Sequence, residues 1–370
     1  MFLARNHGVQ LLNNSKPTVN SQGNNPILSV IILNYNGALW IEKCLKSIQQ
    51  QTLFSRLEVI VADNASTDGS DKLSESILDQ PGWAGSRFIQ HGENLGYCTG
   101  NNRAAAEAHG EYLLFLNNDT RLEPDCLEIL VKETSRLKAD AAAPRIEDYS
   151  NNSFQSIGVW GFDLFGFPST RQFTRSPREI LMPEGCAYLI RTSVFHDIGE
   201  FDPLFFMYAD EWDLSWRLWI AGFRAVTIPD AVVHHRGAAQ VNPEGAEQIL
   251  EFRTSDTKRF YSNRNGLLTL AKNAQHIFWI LFILQFFYLI FELLISLLLV
   301  RRFSHVRRAY LDAWIEIWTQ RRHIISWRRR IRAMRKRSDW WMLRFFKLRL
   351  NRWDEWIRMR QLGKPKINAK

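Results

Sequence analysis

The sequence predicts an α/β fold, with an open, mainly parallel β-sheet and helices on both of its faces. Two apolar runs, LSVIIL (28–33) and LEVIVA (57–62), have the length and composition of strands buried on both faces. Amphipathic stretches separate such runs, so that strands and helices alternate along the chain. Polar clusters follow the runs directly, where the carboxyl ends of parallel strands meet at one edge of a sheet and ligands bind.

The first half of the chain contains two strand–helix–strand units. In the first unit a helix is predicted over 39–50, because Ile41, Leu45 and Ile48 recur at helical spacing. The second unit repeats the alternation. Its predicted elements are a strand over 88–90, an Ala-rich helix over 100–109, a strand over 112–116 and a helix over 124–137 with Pro124 in its first turn.

The pattern changes after about residue 145. An irregular aromatic stretch with several Gly and Pro residues predicts a hairpin and a long loop, which we interpret as a substrate cover. A helix over about 211–221, a pair of strands and a helix over 248–275 are expected next. The predicted segments are a disordered N-terminus (1–25), an α/β domain (26–245, with halves 26–145 and 146–245), a connecting helix (246–276) and membrane-associated helices (277–370).

The net charge of +9 conceals a strong asymmetry. Residues 301–370 contain 22 Lys and Arg residues against 5 Asp and Glu residues, so the tail carries +17 and the rest of the chain about −8. A tail of this kind favours an anionic surface, either nucleic acid or the anionic face of a membrane.

Residues 277–300 are almost wholly apolar and long enough to span a bilayer. The most basic part of the chain follows at once, and a single crossing would separate it from the α/β domain, against the positive-inside rule. We therefore favour a segment that lies in the membrane interface or re-enters it, with the tail aromatics at headgroup depth. These aromatics are Trp327, Trp340, Trp341, Phe345, Phe346, Trp353 and Trp356, interleaved with arginines that begin at Arg301, Arg302, Arg307 and Arg308.

The cysteines and the start of the chain indicate a cytosolic α/β domain. The cysteines are far apart and show neither CxxC spacing nor a disulfide framework, so reduced, mostly buried thiols are expected. The first 25 residues are polar and lack the apolar core of a secretory signal. The four cysteines are Cys44, Cys98, Cys126 and Cys186.

Three polar clusters are predicted at one edge of the sheet: NYNG (34–37), DNASTDGS (63–70) and NND (117–119). A carboxylate among asparagines suits a divalent cation that holds a diphosphate, because Mg²⁺ or Mn²⁺ needs only one or two protein oxygens. Asp119 is the candidate ligand, although it could instead serve as a turn or cap residue before Pro124. No GxGxxG follows a strand, which argues against a dinucleotide.

Two further groups could carry chemistry. Asp210, Glu211 and Asp213 open the predicted helix over 211–221. Crowded carboxylates raise one another's pKa and suit one of them for general-base catalysis, whereas the alternative is an ordinary acidic helix start. His234 and His235 end an apolar run and are candidate metal ligands.

Six stretches, in this order and spacing, resemble glycosyltransferase family 2, and particularly its bacterial rhamnosyltransferase-like members. The resemblance covers about residues 27–240 and implies a GT-A fold with inverting, metal-dependent transfer from a nucleotide-sugar to an acceptor hydroxyl. The stretches are SVIILNYNG, EVIVADNASTDGS, ENLGYCTGNN, GEYLLFLNNDT, GEFDPLFFMYADEWDLSWRLWIAG and PDAVVHHRG.

The resemblance also assigns a nucleotide-sugar site and a metal site. Asp119 would be the metal ligand of the family's DxD motif, in which Asn117 replaces the first Asp with a weaker, uncharged ligand. His235 would reach the metal, with His234 as the second choice. The residues that would contact or lie near the nucleotide are Asn34, Tyr35, Asn36, Asp63, Asn64, Asp68, Asn94, Gly96, Asn101, Asn117 and Asn118.

For catalysis the resemblance implies that Glu211 is the base, in preference to Asp210, because it matches the family's base by position. The family's Glu-Asp order is inverted here, which lengthens the base by one methylene and leaves Asp210 as the alternative. Asp210 and Asp213 would orient the acceptor or Arg217. The Gln-x-x-Arg-Trp motif of processive synthases is absent, which favours the addition of one sugar per encounter.

The expected donor is dTDP-rhamnose, with UDP- and GDP-sugars as alternatives, and the expected acceptor is a polyprenyl-linked saccharide of cell-surface polysaccharide synthesis. The enzyme would sit on the cytoplasmic side of the inner membrane, peripheral or monotopic, on anionic lipids and without nucleic acid; an oligomer is left open. One rival is a sugar nucleotidyltransferase, which usually needs a Gly-rich first loop with a basic residue that NYNG lacks. The other is a nucleic-acid-binding protein that uses the Arg/Trp tail.

Overall fold

The computed structural model describes residues 25–83, 85–169, 173–237, 253–300, 302–348, 350, 360 and 366–368. The described strands are β1 (Leu28–Asn34), β2 (Leu57–Asp63), β3 (Arg87–Gln90), β4 (Tyr112–Asn117), β5 (Thr120–Leu122), β6 (Ala141–Asp148), β7 (Phe154–Ser156), β8 (Gly161–Phe162), β9 (Pro168–Ser169), β10 (Ala187–Arg191), β11 (Ala225–His235), β12 (Arg253–Ser255) and β13 (Lys366–Asn368).

The described α-helices are α1 (Ile41–Gln49), α2 (Ser70–Leu78), α3 (Gly96–Ala105), α4 (Cys126–Arg136), α5 (Thr192–Asp197), α6 (Asp210–Ile220), α7 (Asp256–Asn273), α8 (Phe278–Leu299), α9 (Phe303–Val306), α10 (Ala313–Thr319), α11 (Arg321–Met334) and α12 (Asp339–Met342). A π-helical segment, Arg307–Asp312, joins α9 to α10. Short 3₁₀ turns cover Phe54–Arg56, Pro203–Phe205 and Leu343–Phe345.

The main sheet has the strand order β3-β2-β1-β4-β10-β6-β11-β5, and β7 pairs with β6. The first four strands are parallel, as predicted. Beyond β4 the sheet is mixed, because β10 runs antiparallel to both β4 and β6 whereas β11 is parallel to β6. The carboxyl ends of β1, β2 and β4 therefore share one edge of the sheet, which we call the strand rim.

The sheet separates two hydrophobic clusters, which explains the fully apolar strands. In β1, Ile31 packs into the cluster on one face, and Val30 and Ile32 pack into the cluster on the other. The four cysteines are free and buried, as expected.

Most predicted elements of the first half are confirmed within a few residues. The helix predicted over 100–109 begins earlier, at Gly96, because the polar GYCTGNN stretch forms its first turns. The elements that were not predicted include α2, β5, β6, β10 and α5. The strand pair expected after α6 is one long strand, β11, whose pairing with β6 is interrupted between Ile228 and Val232. The hairpin expected in the aromatic stretch after residue 145 is present as β8–β9.

The last helices form a layer on the α/β domain. α8 runs antiparallel to α7, because the chain turns between them at 274–277 and the start of α9 returns to the start of α7, where His305 lies 2.6 Å from Asp256. The chain then runs back along α8, where Ser296 and Tyr310 are 3.1 Å apart. α7, α8 and the 303–319 segment therefore pack side by side.

Within the described residues, α8 is the helix long and apolar enough to cross a membrane. Its buried side faces α7 and carries Leu289 and Gln285. Its other side is exposed and wholly apolar, and we call this set of residues the α8 stripe: Ile280, Ile283, Phe287, Phe291, Leu294 and Leu298. The spacing of three and four residues places them on one face of the helix.

The expectation that the tail aromatics lie at headgroup depth is wrong for part of the tail. Trp327 is buried against Arg217, and Phe345 is buried against Trp219. Arg337 donates to the carbonyls at the end of α6, including those of Trp219 and Gly222. These residues fasten the tail to the domain, whereas Trp340 is 65% exposed. Trp353 and Trp356 lie outside the described residues.

Candidate active site

Asn34 connects the three loops of the strand rim. Its amide nitrogen donates to Asp63 Oδ1 (2.8 Å) and Ser70 Oγ (2.8 Å), and its amide oxygen accepts from Asn118 Nδ2 (2.8 Å). The polar clusters after β1, β2 and β4 therefore converge, as predicted. Asn34 itself has no exposed surface, so the predicted direct contact with a nucleotide is wrong, and its role is to position the neighbouring loops.

The Asp63 carboxylate also makes its hydrogen bonds within the protein. It is buried; its Oδ2 accepts from Ser66 N (2.8 Å) and Gln90 Nε2 (3.3 Å), and its Oδ1 accepts from Ser66 Oγ (2.6 Å). The loop above it leaves two other predicted residues nearer solvent. Tyr35 is 48% exposed, and Asn36 is exposed and braces Thr67 N through its amide oxygen (2.8 Å).

Asp68 shapes the far end of the same loop. It accepts from Ala38 N (2.9 Å) and from both the backbone and the hydroxyl of Ser70. Partial burial raises the pKa of Asp68, but these hydrogen bonds outweigh it and hold the pKa below its usual value. The carboxylate is thus held ionised between β1 and α2.

A second loop closes on the rim at the start of α3. Asn94 accepts from Gly96 N (3.0 Å), and Asn64 donates to Gly96 O (3.1 Å), so two predicted residues hold this loop against β2. Gly96 has a positive φ of 73° and lies directly against Phe206, where a Cβ would clash. Asn101 is buried and donates to Tyr97 O (2.9 Å), a role internal to α3.

Asp119 and His235 face each other across the neighbouring strands β5 and β11, with His235 Nε2 3.4 Å from Asp119 Oδ1. Burial lowers the pKa of His235, but Cys186 and Asp119 outweigh it and raise the pKa well above its usual value. Asn117 is the last residue of β4, two positions before Asp119. Asn117 and Asn118 thus lie at the same edge, with Asn118 bonded to Asn34.

His234 points away from this pair. Side chains alternate along a strand, so His234 faces the opposite side of β11, where its Nε2 lies 2.7 Å from Glu123 Oε1. It is buried there. The prediction of His234 as an alternative metal ligand is therefore wrong.

Asp210 and Glu211 begin α6, where Asp210 is buried and Glu211 is partly buried. Burial and the neighbouring Glu211 hold the pKa of Asp210 well above its usual range. Burial also raises the pKa of Glu211, and the carboxylate of Glu184 adds to the effect. Glu211 is the more accessible of the two, which suits it better for proton transfer with a substrate.

Asp213 has a different role. It accepts from Arg217 Nε (3.0 Å), Lys272 Nζ (2.9 Å) and Asn273 Nδ2 (2.8 Å), and it is buried. Orientation of Arg217 is confirmed, whereas the predicted orientation of an acceptor by Asp213 is wrong, because every oxygen is used inside the protein. Lys272 and Asn273 lie on α7, outside the resemblance that the sequence showed.

The segment 184–186 joins the two groups. Gly185 packs against the Glu211 carboxylate, where a Cβ would lie 3.4 Å from Oε1, and Cys186 contacts His235. Cys186 O accepts from Asn117 N (3.0 Å), which fixes the segment to the strand rim. The segment therefore contacts both Glu211 and His235 and so links the acid pair at the start of α6 to the Asp119–His235 pair.

Glu184 was missed from the sequence. It accepts from Ser156 Oγ (2.5 Å), and burial raises its pKa against the effect of that bond. Tyr97 was also missed, and its hydroxyl donates to Gly185 O (3.1 Å). The sequence signal that could have identified Glu184 as a site residue is its position beside a Gly within PEGC.

Together these features define a class of protein: an α/β protein with a polar strand rim, a paired Asp and His at its edge, and an acid pair that segment 184–186 links to them. Residues 29–199 match the family model "Glycosyl transferase family 2", so this part of the chain is similar to members of that family.

A relative in the same class is the N-acetylglucosaminyl-diphospho-decaprenol L-rhamnosyltransferase of Mycobacterium tuberculosis, 26% identical over 269 residues, which are 65% of this chain and 85% of the relative. The O-antigen biosynthesis protein RfbC of Myxococcus xanthus is 27% identical over 58% of this chain and 18% of its own length. The chain is thus similar to rhamnosyltransferase-like members of the family.

Solved structures with the same fold include S. aureus TarS 1–349 in complex with UDP-GlcNAc, with 16% identity and a TM-score of 0.55 over 83% of this chain and 87% of that one. The mannosyltransferase PcManGT of Pyrobaculum calidifontis, in complex with GDP-Man and Mn²⁺, has 18% identity and a TM-score of 0.50 over 87% of this chain and 89% of that one. The fold is therefore of the GT-A type, followed by C-terminal helices.

Proposed function

We propose that the protein is an inverting, metal-dependent glycosyltransferase that moves one sugar from a nucleotide-sugar to a hydroxyl of a lipid-linked saccharide. The observation that carries the proposal is the segment 184–186, which contacts both Glu211 of the acid pair and His235, the partner of Asp119. A donor diphosphate would lie at the first pair and an acceptor hydroxyl at the second.

For the donor, the exposed residues of the rim are the proposed contacts. Tyr35 and Asn36 offer an aromatic face and an amide above loops that Asn34, Asp63 and Asp68 hold in place. The 94–96 loop would close the site from the other side. We favour dTDP-rhamnose because the mycobacterial relative is a rhamnosyltransferase, and UDP- and GDP-sugars are the alternatives.

The residues at the rim fit a divalent cation. A carboxylate oxygen and, once it has lost its proton, an imidazole nitrogen 3.4 Å away suit Mg²⁺ or Mn²⁺, which take few protein ligands and complete their shell with phosphate and water. Accordingly, the described residues contain no cluster of three or more His, Cys, Asp or Glu side chains able to hold a metal by themselves. When bound, the cation would neutralise charge on the departing diphosphate.

Glu211 is the proposed base. Its carboxylate would accept the proton of the acceptor hydroxyl, and Asp210 would stay beside it to tune its pKa and position. A base of this kind contributes about 10²–10⁴-fold to the rate.

The acceptor is proposed to be a polyprenyl-diphosphate-linked saccharide at the cytoplasmic face of the inner membrane. The decaprenol in the name of the mycobacterial relative and the exposed α8 stripe support this assignment. The antiparallel packing of α8 on α7 favours a helix that lies in the interface over one that crosses. Exposed arginines such as Arg307 and Arg308 would meet anionic headgroups.

A thermal-shift screen of nucleotide-sugars with Mg²⁺ or Mn²⁺, followed by a transfer assay with a polyprenyl-linked acceptor, tests the proposal. We expect one nucleotide-sugar to stabilise the protein only in the presence of a divalent cation and to donate its sugar. Binding of nucleoside triphosphate and sugar phosphate with release of pyrophosphate would support the nucleotidyltransferase alternative instead. Retention of RNA, but not of liposomes, at matched salt would support the nucleic-acid alternative.

A further inference from the structure

The segment 204–209, which leads into α6, has an unusual backbone. Phe206 has φ 61° and ψ −60°, and Met207 N bonds Phe205 O at 2.7 Å, which together make a γ-turn of the rare, strained kind. Tyr208 and Ala209 follow with φ of 66° and 59°. Three positive-φ positions without glycine, within four residues, persist only where the surroundings hold them.

Helix α7 makes most of the hydrogen bonds that hold this backbone in place. Asn265 Nδ2 lies within hydrogen-bond distance of the carbonyls of Phe205 (2.9 Å), Met207 (2.9 Å) and Tyr208 (2.7 Å). Arg264 Nη2 donates to Leu204 O (2.5 Å), and its Nε donates to the Oδ1 of Asn265. One buried amide thus reaches three carbonyls and is itself oriented by the neighbouring guanidinium.

The carbonyl of Phe206 faces the start of α3, on the side where the nucleotide-sugar is proposed to bind. Phe206 O accepts from Tyr97 N (2.6 Å) and Cys98 N (3.2 Å) at the start of α3. The Phe206 side chain stacks on Tyr261 of α7, with ring centroids 5.3 Å apart. The segment is therefore clamped between the loop that would close on the nucleotide and α7.

We propose that Asn265 is a positioning residue for catalysis, which sets the direction in which Asp210 and Glu211 project from the start of α6. The inference rests on the proposed function, since it assigns the orientation of its base to a residue of α7. Buried carbonyls must accept hydrogen bonds, and the Asn265 amide donates to several carbonyls of the strained turn from one rigid group. Loss of the amide lets the turn relax and moves Glu211 away from the acceptor hydroxyl.

Asn263 provides a matched control. It is on the same helix, it is also buried, and its amide donates to Ala309 O (2.9 Å) in the π-helical segment instead of the turn. Asn265→Leu and Asn263→Leu therefore remove the same group from the same helix, but only the first releases the segment before α6. Asn265→Ser serves as a second variant, because it keeps a hydroxyl and creates a smaller perturbation.

The test compares the three variants with the wild type in the full chain. We expect Asn265→Leu to lower kcat by about 10²-fold, the scale of a misplacement of about 1 Å, with the donor KM unchanged. Asn265→Ser should lower kcat less, and Asn263→Leu should leave it near the wild-type value. Rates are divided by the number of donor sites counted by calorimetry, so that loss of folded protein does not count as loss of turnover.

Hydrogen exchange gives the second readout. Asn265→Leu and Asn265→Ser should speed exchange at 97–98 and 206–213, and Asn263→Leu should speed it near 309 instead. Wild-type exchange at 206–213 in both Asn265 variants, or an unchanged kcat with that segment opened, overturns the proposal. If the wild type transfers no sugar, the proposed function fails, and the exchange pattern still decides whether Asn265 holds the segment.

Discussion

At the scale of single residues, the strand rim and the acid pair at the start of α6 use the same residue types in different ways. Asn34 and Asp63 are buried and hold loops, whereas Tyr35 and Glu211 keep accessible surface. A buried carboxylate next to another carboxylate is costly to ionise. The acid pair at the start of α6 is therefore more than a helix cap, because a capping acid faces solvent.

Replacement of Glu211 by Gln tests the proposed base. We expect turnover to fall by about 10²–10⁴-fold with donor affinity nearly intact, because the amide keeps the shape but cannot take a proton. Transfer assays and donor titration measure the two quantities, with Glu42→Gln on the exposed face of α1 as the control. Undiminished turnover would remove Glu211 from the role.

Replacement of Glu184 by Gln tests the pH dependence. The Glu184 carboxylate raises the pKa of Glu211, after burial. A base acts only when deprotonated, so activity rises with pH through its pKa. Removal of the nearby charge lowers that pKa, and the acid limb of the kcat profile should move to lower pH. A limb that stays in place, or moves to higher pH, contradicts this; Glu93→Gln, an exposed acid, should leave the profile unchanged.

At the scale of elements, α7 is held by a buried ionic cluster. Lys272 Nζ lies 2.5 Å from Asp202 Oδ2 and 2.9 Å from Asp213 Oδ2, and His323 reaches Asp202 from α11. Burial raises the pKa of Asp202, but Lys272 and His323 outweigh it and lower the pKa below its usual value. The cluster fastens α6, α7 and α11 to the segment before the acid pair.

Lys272→Met should lower the free energy of unfolding by about 3–5 kcal/mol, because it leaves two buried carboxylates without their cation. Lys46→Met, which breaks an exposed pair with Glu42, should cost at most about 1 kcal/mol. Denaturant unfolding at neutral pH measures both. Since the pKa of Asp202 is lowered in the folded state, its stabilisation is present above its ordinary pKa and is lost as the pH falls below it. Equal small losses in the two variants would contradict the account.

The α8 stripe makes a separate prediction for membrane binding. Phe287→Glu together with Phe291→Glu places two charges in the middle of the stripe and should abolish flotation with liposomes that contain anionic lipids. Leu39→Glu introduces one charge at an exposed apolar position outside the C-terminal helices and should leave flotation intact. Flotation of the double variant at the wild-type level would exclude the stripe as the membrane contact.

At the scale of the whole molecule, periodicity predicts the parallel half of the sheet because β1, β2 and β4 are continuous apolar runs. It does not predict β10 or β6, since their neighbours in the sheet come from distant parts of the chain. The convergence of Asn34, Asp63 and Asn118 follows from the rule that parallel strands end at one edge. Which of these side chains is buried does not follow, because burial depends on the loops packed above them.

The same limit applies to the acid groups. Asp213 lies within the acidic start of α6, yet Lys272 and Asn273 of α7 engage it fully, and these residues are about 60 positions away in sequence. His234 and His235 are adjacent, and only the alternation of β11 decides which one faces Asp119. Glu184 gains its surroundings from Ser156 and His235, neither of which is near it in sequence.

The central claim is that Asp119 and His235 hold a cation at the strand rim and that this cation binds the donor diphosphate. Calorimetric titration of the nucleotide-sugar with and without Mn²⁺, in the wild type and in Asp119→Ala, tests it most directly. Asp125→Ala, an exposed acid at the start of α4 without a capping bond, is the control. We predict that Mn²⁺ strengthens donor binding in the wild type and the control but not in Asp119→Ala. An equal gain from Mn²⁺ in all three proteins would contradict the claim.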